Sequence, residues 1–452
     1  MKQKSNKMES MPIPKLVINI STPLMISLLV QSLYNIISGI FVARLGENAI
    51  AAVSFAFPVQ MFMIAISVGS GIGVNSLVSR KIGEKNQKEI GSVATTGLLL
   101  AVLSSFVFVI FGLLWVRQFF ELYTGDLELI TMGVQYLRII TVFSLGIFVA
   151  TTVERLLQAA GKTVLSMIAL ITGAVINIVL CPILINGLFG LPALGVRGAA
   201  IATVIGQWAA AGLSLVLNLT LNKEVPIKIR GYKLQPRMFG KILKVGIPSM
   251  MSQGMASLMT ALINNILGGV SVTAVAFFGI YYRLQQFLFM PVNGLSQGLI
   301  PIVGYNYGSR RVAKIKEAVK FSLTLAIGIM VVGTTLFMFI PEQLLSLYHA
   351  SEDMLAFGVP ALRIISVIFV PTGIAFVVGR MFIGMGNGVV NMVNTILMDL
   401  LTVVIIYILV AFIDIHFVWF AFWISHSIAL VFSILSLRHA YQTVLRPMEN
   451  PG

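Results

Sequence analysis

Apolar runs of about 20 residues or more recur along this chain, separated by short polar or Gly/Pro-containing breaks. A run of that length is what an α-helix needs to cross the hydrocarbon of a bilayer. Inside hydrocarbon each backbone amide must find its partner within the segment, so such runs are read as spanning helices. Twelve spans are predicted, at 16–43, 49–78, 91–114, 130–157, 163–186, 197–219, 241–266, 271–302, 317–340, 354–381, 388–413 and 416–437. Composition agrees: 58% of the 452 residues are hydrophobic and 10% are charged, too few polar groups to cover a soluble domain. The expected fold class is an all-α integral membrane protein with no soluble domain left over. The leading segment "MKQKSNKMESMPIPK" is polar and basic, but the run after it is too long for a signal-peptide core and lacks a small-residue cleavage site, so it is expected to be retained.

Lysine and arginine are held on the cytoplasmic side during insertion. Of the 31 in this chain, 23 fall in the N-terminus, the even-numbered connections and the C-terminus, while the odd-numbered connections hold Arg44, Arg117 and Arg197. Both termini are therefore expected in the cytoplasm. The formal charge of +15 is accounted for by topology and by attraction to anionic headgroups, so no nucleic-acid partner is expected. The one cysteine, Cys181, excludes an internal disulfide.

The segment "YLRIITVFSLGIFVATTVERLLQAAGKTV" at 136 aligns without a gap on "ALRIISVIFVPTGIAFVVGRMFIGMGNGV" at 361. The same shift of 225 positions carries Pro23 to Pro248, Gly69 to Gly294, Gly73 to Gly298 and Gly83 to Gly308. This is an internal repeat of a six-helix unit. Because six is even, both copies cross the membrane in one sense, and a substrate path is expected between two parallel bundles near mid-depth. The predicted organisation is an N-terminal lobe, 1–221, a basic cytoplasmic linker, 222–241, and a C-terminal lobe, 242–452.

Polar residues within a spanning helix should face protein or water. Gln31, Asn35 and Ser38 form one stripe on the first span, and Tyr282, Gln286, Asn293 and Gln297 form another on the eighth, where Pro291 is expected to kink the helix. The seventh adds Gln253, Asn264 and Asn265, and the eleventh Asn391, Asn394 and Asp399. Singly, each amide reads as an interhelical hydrogen bond; together they point to a wet cavity. Asp399 and Arg283 are the most central ionisable groups. Asp399 reads equally as a proton- or cation-coupling group and as half of a static pair with an arginine. Glu154, near the cytoplasmic end of the fourth span beside Arg155, reads equally as interfacial and functional. Arg138 and Arg363 hold equivalent repeat positions, which points to a structural task, and "VGSGIG" in the second span reads as close helix packing.

Signals for enzymatic chemistry are poor. "GKT" at 161–163 lacks the earlier glycine of a phosphate-binding loop, because position 156 is leucine. His349, His416, His426 and His439 have no metal-ligand spacing. No metal or cofactor is expected. Transport, if any, is secondary, with no ATPase domain to drive it.

The segments at 41–86, "ERLLQAAGKT" (154–163), "LGVRGAAIATVIGQ" (194–207) and "YYRLQQFLFMPVNGLSQGLIPIVGYNYG" (281–308) resemble the multidrug and toxic compound extrusion (MATE) transporters, in particular their bacterial DinF/MepA-like branch. The resemblance runs along the whole chain. It implies two six-helix lobes in a V, and alternating access in which inward H+ or Na+ drives export of amphipathic, mostly cationic compounds. It further implies a monomer in the bacterial cytoplasmic membrane. Arg283 matches the basic residue of the eighth helix, and Glu154 an acidic residue of the fourth. In "YNIIS", with Tyr34, Asn35 and Ser38, serine stands where the branch has aspartate; in "NIVLCPILI", with Asn177 and Cys181, cysteine stands where it has another. Asp399 occupies a position that is often basic. A serine hydroxyl does not exchange a proton near neutral pH, nor is a thiol in apolar surroundings ionised. Two readings follow: the acidic coupling site has moved to Asp399, or coupling is weakened and the chain exports neutral or anionic amphiphiles that meet Arg283. A lipid-precursor flippase of the same superfamily is a third; it expects extra helices and a basic central cavity.

Overall fold

The computed structural model describes residues 7–228, 232, 235–348, 350–413 and 417–449, and among these every regular element is helical. The principal helices are α1 (Ile13–Ala43), α2 (Glu47–Gly83), α3 (Gln87–Leu114), α4 (Leu127–Val142), α5 (Leu145–Ala159), α6 (Thr163–Asn186), α7 (Val196–Leu221), α8 (Pro236–Gly268), α9 (Val272–Gly308), α10 (Val312–Phe339), α11 (Glu352–Ser366), α12 (Phe369–Met385), α13 (Val389–Thr395), α14 (Leu401–Phe412) and α15 (Phe420–Ala440). A π-helical turn, Ile396–Leu400, joins α13 to α14. Nine helical stretches among the described residues are long and apolar enough to cross a membrane. The pairs α4/α5 and α11/α12, each bent by 44°, raise the number to eleven when each counts as one span. The chain is thus a multi-pass membrane protein. The seventh expected span corresponds to α8, a helix of 33 residues that is not among those eleven; its serines, amides and Thr260 dilute its apolar character.

The repeat is written into the helix ends. Beyond α2, Lys85 adopts φ 56° and Asn86 N donates to Lys81 O (3.1 Å); 225 positions on, Arg310 adopts φ 57° and Arg311 N donates to Asn306 O (2.8 Å). Gly161 (φ 73°) and Gly386 (φ 92°) close α5 and α12 in the same way, with Lys162 N on Leu157 O (2.9 Å) and Asn387 N on Phe382 O (2.8 Å). Each left-handed residue returns the chain so that late amides satisfy helix-terminal carbonyls. The bends at 143–144 and 367–368 fall within one residue of the same shift, and the two arginines obey it. Arg138 donates to Gly112 O (3.3 Å) and Arg363 to Met338 O (3.2 Å), tying each bent helix to the helix before it.

The chain divides into two compact units, one of Ile26–Met250 and one of Met1–Met25 with Met251–Gly452. This partition does not follow the lobes drawn at 1–221 and 242–452. It cuts α1 and α8 in mid-helix, two residues after Pro23 and Pro248. Glycine explains which half goes where. In the first unit a methyl group added to Gly69 would lie 2.6 Å from Met250 N, and one on Gly73 would meet Ile242 O. In the second, a methyl on Gly294 would lie 2.7 Å from Met25 Cα and one on Gly298 would meet Ser21 Oγ. The glycines let backbones approach where any side chain would separate them.

Within the first unit, Phe108, Phe120, Phe148, Leu137 and Ile140 form the centre of an apolar core. The described linker residues are strapped to the start of α3: Lys228 N donates to Thr95 Oγ1 (3.0 Å), and the hydroxyls of Thr96 and Tyr232 lie 2.7 Å apart. Arg230 and Lys233 of the linker lie outside the described residues. Within the second unit, Phe277, Phe357, Trp419 and Phe422 pack edge-on and stacked. Helix α9 runs unbroken through Pro291 and Pro301.

Gly69→Ala and Gly294→Ala are each expected to destabilise the protein by about 1–3 kcal/mol through overpacking, seen as a lower Tm in detergent. Gly212→Ala, on a helix with open space around the added methyl, should leave Tm unchanged or raise it.

Candidate functional site

Each unit carries a knot of polar side chains inside its spanning helices. In the first unit the knot joins α1, α6 and α7. Ser38 Oγ donates to Asn177 Oδ1 (3.0 Å), Asn177 Nδ2 donates to Thr203 Oγ1 (3.1 Å), and the Thr203 hydroxyl donates to Ala199 O (2.9 Å). The Tyr34 hydroxyl shares a hydrogen bond with Thr203 and lies near Cys181. Tyr136, near Tyr34 and Cys181, accepts from Gln60 Nε2 (3.0 Å). Asn177 and Cys181 are buried, while Tyr34 and Ser38 are half-buried. Helical spacing puts them together: α6 presents Asn177 and Cys181 one turn apart, and α1 presents Tyr34 and Ser38 likewise. The knot has abundant donors and acceptors but no carboxylate. It can orient a hydrogen-bonding group and presents neutral oxygens; it has no carboxylate to exchange a proton near neutral pH.

The knot in the second unit joins α8, α12, the α13–α14 span and α15. Asn391 Nδ2 donates to Ser252 Oγ (3.0 Å), Ser433 Oγ donates to Asn394 Oδ1 (3.0 Å), and Asn394 Nδ2 reaches Ala375 O (3.5 Å). The Gly379 Cα lies so close to Asn391 that an added methyl would stand 2.6 Å from its Oδ1. Thr402 and Ser425 pair their hydroxyls at 2.5 Å, and His426 Nδ1 lies 2.9 Å from Phe422 O. Asp399 sits in the π-helical turn of this span, half-buried, with no hydrogen-bond or ion-pair partner among the described residues. Among the described residues no arginine is paired with Asp399.

The remaining expected residues are not gathered into either knot. Gln31, Asn35, Arg283 and Gln286 are exposed, and Tyr282, Asn264 and Asn293 are half-buried. Asn264 Oδ1 is buried without a partner among the described residues. Glu154 is half-buried beside Arg155. Arg155 Nη1 donates to Gln158 Oε1 (2.9 Å), Gln158 Nε2 to Ser166 Oγ (2.9 Å), and the arginine stem lies against Gly71, a structural brace between α2, α5 and α6. His349 and His416 lie outside the described residues. Among the described residues no cluster of His, Cys, Asp and Glu could hold a metal ion.

Sequence reasoning missed Thr203, Tyr136 and Gln60 in one knot and Ser252, Thr402, Ser425 and Ser433 in the other. One signal was available: Thr402 lies 225 positions after Asn177, so the repeat that carries the first knot also points to the second.

Known proteins place this architecture. The MatE family model matches residues 23–183 and again 248–408, two copies offset by the same 225 positions. The chain belongs to the MatE family. Among its relatives are the multidrug export protein MepA of Staphylococcus aureus (strain MSSA476), 24% identical over 94% of each chain, and that of Staphylococcus haemolyticus (strain JCSC1435), 25% identical over 84% of this chain and 83% of that one. Similar solved structures include a MATE in the bent conformation, with TM-score 0.91, 26% identity and 100% of each chain covered. Another is a MOP superfamily transporter from Pyrococcus furiosus Vc1 (DSM3638), described for the reverse polarity of its binding pocket, with TM-score 0.88, 27% identity and 100% of each chain covered.

Asn177→Leu, which removes two interhelical bonds at similar volume, is expected to cost about 1–2 kcal/mol. The measurement is thermal unfolding in detergent, with Asn35→Leu as the exposed comparison that should change little.

Proposed function

We propose that this chain is a secondary exporter of amphipathic, cationic small molecules, acting as a monomer in the bacterial cytoplasmic membrane with both termini inside. H+ or Na+ moving inward drives the export, and Asp399 is the coupling group. Membership of the MatE family and the likeness to MepA proteins named for multidrug export support the class of activity. The observation that carries the coupling assignment is the Asp399 carboxyl, without a partner among the described residues, on the π-helical turn of a spanning helix. In apolar surroundings without a fixed counter-charge the charged form of a carboxyl is costly, so a proton or a cation is held there in preference to an empty carboxylate. Its alternation between charged and neutral forms gives an exporter two states of different affinity for a cation and for an organic cationic substrate. No ion other than the transported one is required, and no cofactor takes part.

The expected outcome in proteoliposomes is that Asp399→Asn abolishes uphill export driven by a pH or Na+ gradient, by at least about tenfold, while substrate exchange without a gradient persists. If gradient-driven export survives in Asp399→Asn, Asp399 is not the coupling group.

A second reading has its own observation: the first unit's knot holds Ser38 and Cys181 where carboxylates are expected, so this knot supplies no charge. In that reading, which rests on the neutral knot alone because Glu154 and Arg155 lie elsewhere in the same unit, the protein carries neutral or anionic amphiphiles down their own gradient and Arg283 meets their headgroups. Wild-type export indifferent to both gradients, together with reduced affinity for an anionic amphiphile in Arg283→Gln, would establish it.

A further inference from the structure

We propose that Thr402 and Ser425 are positioning residues for Asp399, holding the π-helical turn on which it stands through a hydroxyl relay anchored on the neighbouring helix. The inference rests on the reading of Asp399 as the coupling group. The geometry is continuous from one helix to the other. Thr402 Oγ1 donates to Met398 O (2.5 Å) and accepts from Ser425 Oγ on α15 (2.5 Å), whose one proton has Phe422 O (3.1 Å) as its alternative acceptor. The Met398 carbonyl belongs to the peptide plane that begins Asp399. The relay therefore fixes the backbone immediately before the carboxylate, although neither hydroxyl is bonded to the carboxylate itself.

The π turn makes this anchoring consequential. Leu401 N donates to Ile396 O, five residues back, so the α-helical ladder is interrupted where Asp399 sits, in a kind of turn that is rare and frequent at functional sites. Residues on either side of the turn are fixed to α15: Asn394 by Ser433 before it and Thr402 by Ser425 after it. Asp399 lacks a side-chain partner among the described residues. Its place is thus set by its backbone alone.

Helix α12, which packs Ala375 and Phe376 against Met398 and Leu397 of the turn, carries Arg380, which exerts no direct effect on Asp399. On its own span the other titratable residue is Tyr407. Helix α15, packed against the turn, carries His426, Arg438 and His439. The His426 Nδ1 is engaged by Phe422 O and lies 3.1 Å from Ser425 Oγ, and no charged group acts directly on Asp399.

The test reads the carboxyl itself, independently of transport. Purified full-length protein is treated with dicyclohexylcarbodiimide, which modifies protonated carboxyls in apolar surroundings, across a pH series, and the adduct on Asp399 is quantified by mass spectrometry. Asp399→Asn is the unlabelled control. Thr402→Val and Ser425→Ala are expected to shift the pH of half-maximal labelling by about half a unit or more, and Thr402→Ser, which keeps the hydroxyl, to restore the wild-type midpoint. Folded protein with an unmoved midpoint in both Thr402→Val and Ser425→Ala overturns the proposal. So does a shift in Thr402→Ser as large as that in Thr402→Val. If Thr402→Val does not fold, the comparison of Ser425→Ala with Thr402→Ser decides. A shifted midpoint alongside intact gradient-driven export in Asp399→Asn would uphold the positioning and sink the coupling role, so the two failures are separable.

Discussion

Hydrocarbon offers no hydrogen-bond partner, and the rest of this structure follows from that constraint. It forces the backbone into helices and requires each helix end and bend to settle its own amides. It also turns every buried polar side chain into either a tie between helices or a site. The helix ends answer with left-handed closures at Lys85, Gly161, Arg310 and Gly386. Arg138 and Arg363 answer at the bends by reaching a carbonyl on the preceding helix. Serine and threonine hydroxyls answer locally, returning to carbonyls three or four residues back, as Ser79, Thr95 and Thr141 do.

Against this background of satisfied groups, the two polar knots differ in one respect. That of the first unit is closed and neutral, with Ser38, Asn177 and Thr203 consuming one another's hydrogen-bonding capacity. The second unit's knot is equally well tied through Asn391, Asn394 and Thr402, yet leaves a carboxyl without a partner. A family fold built as two copies of one unit can therefore retain its architecture while a carboxylate stands at Asp399 in one copy and an alanine at the equivalent Ala174 in the other. The duplication supplies two similar scaffolds, and the chemistry of each depends on a few side chains.

The spans were legible in the sequence because hydropathy reports burial in lipid directly. The stretch 163–186 coincides with α6, and the 225-residue repeat reappears in helix caps, bends and glycine contacts. The glycines of "VGSGIG" pack against helices, as their small size predicts. The two 44° bends were not legible: Phe143–Ser144 and Val367–Ile368 are apolar or small, contain neither proline nor glycine, and leave the hydropathy profile unbroken. Nor was the π turn at Asp399, because one added residue per turn changes hydrogen bonding without changing composition.

Sequence by itself determined the membrane class, the duplication, the family and the presence of serine and cysteine, not carboxylates, at positions 38 and 181, since these depend on residue type and order. Only the tertiary structure decided which half of α1 and α8 belongs to which unit, because that rests on close backbone approach at Gly69, Gly73, Gly294 and Gly298, a matter of distance between segments far apart in the chain. It alone also distinguished tied polar residues from untied ones. Asn177, Asn391 and Asp399 are all polar residues in apolar helices; a partner some 3 Å away on another helix separates the first two from the third.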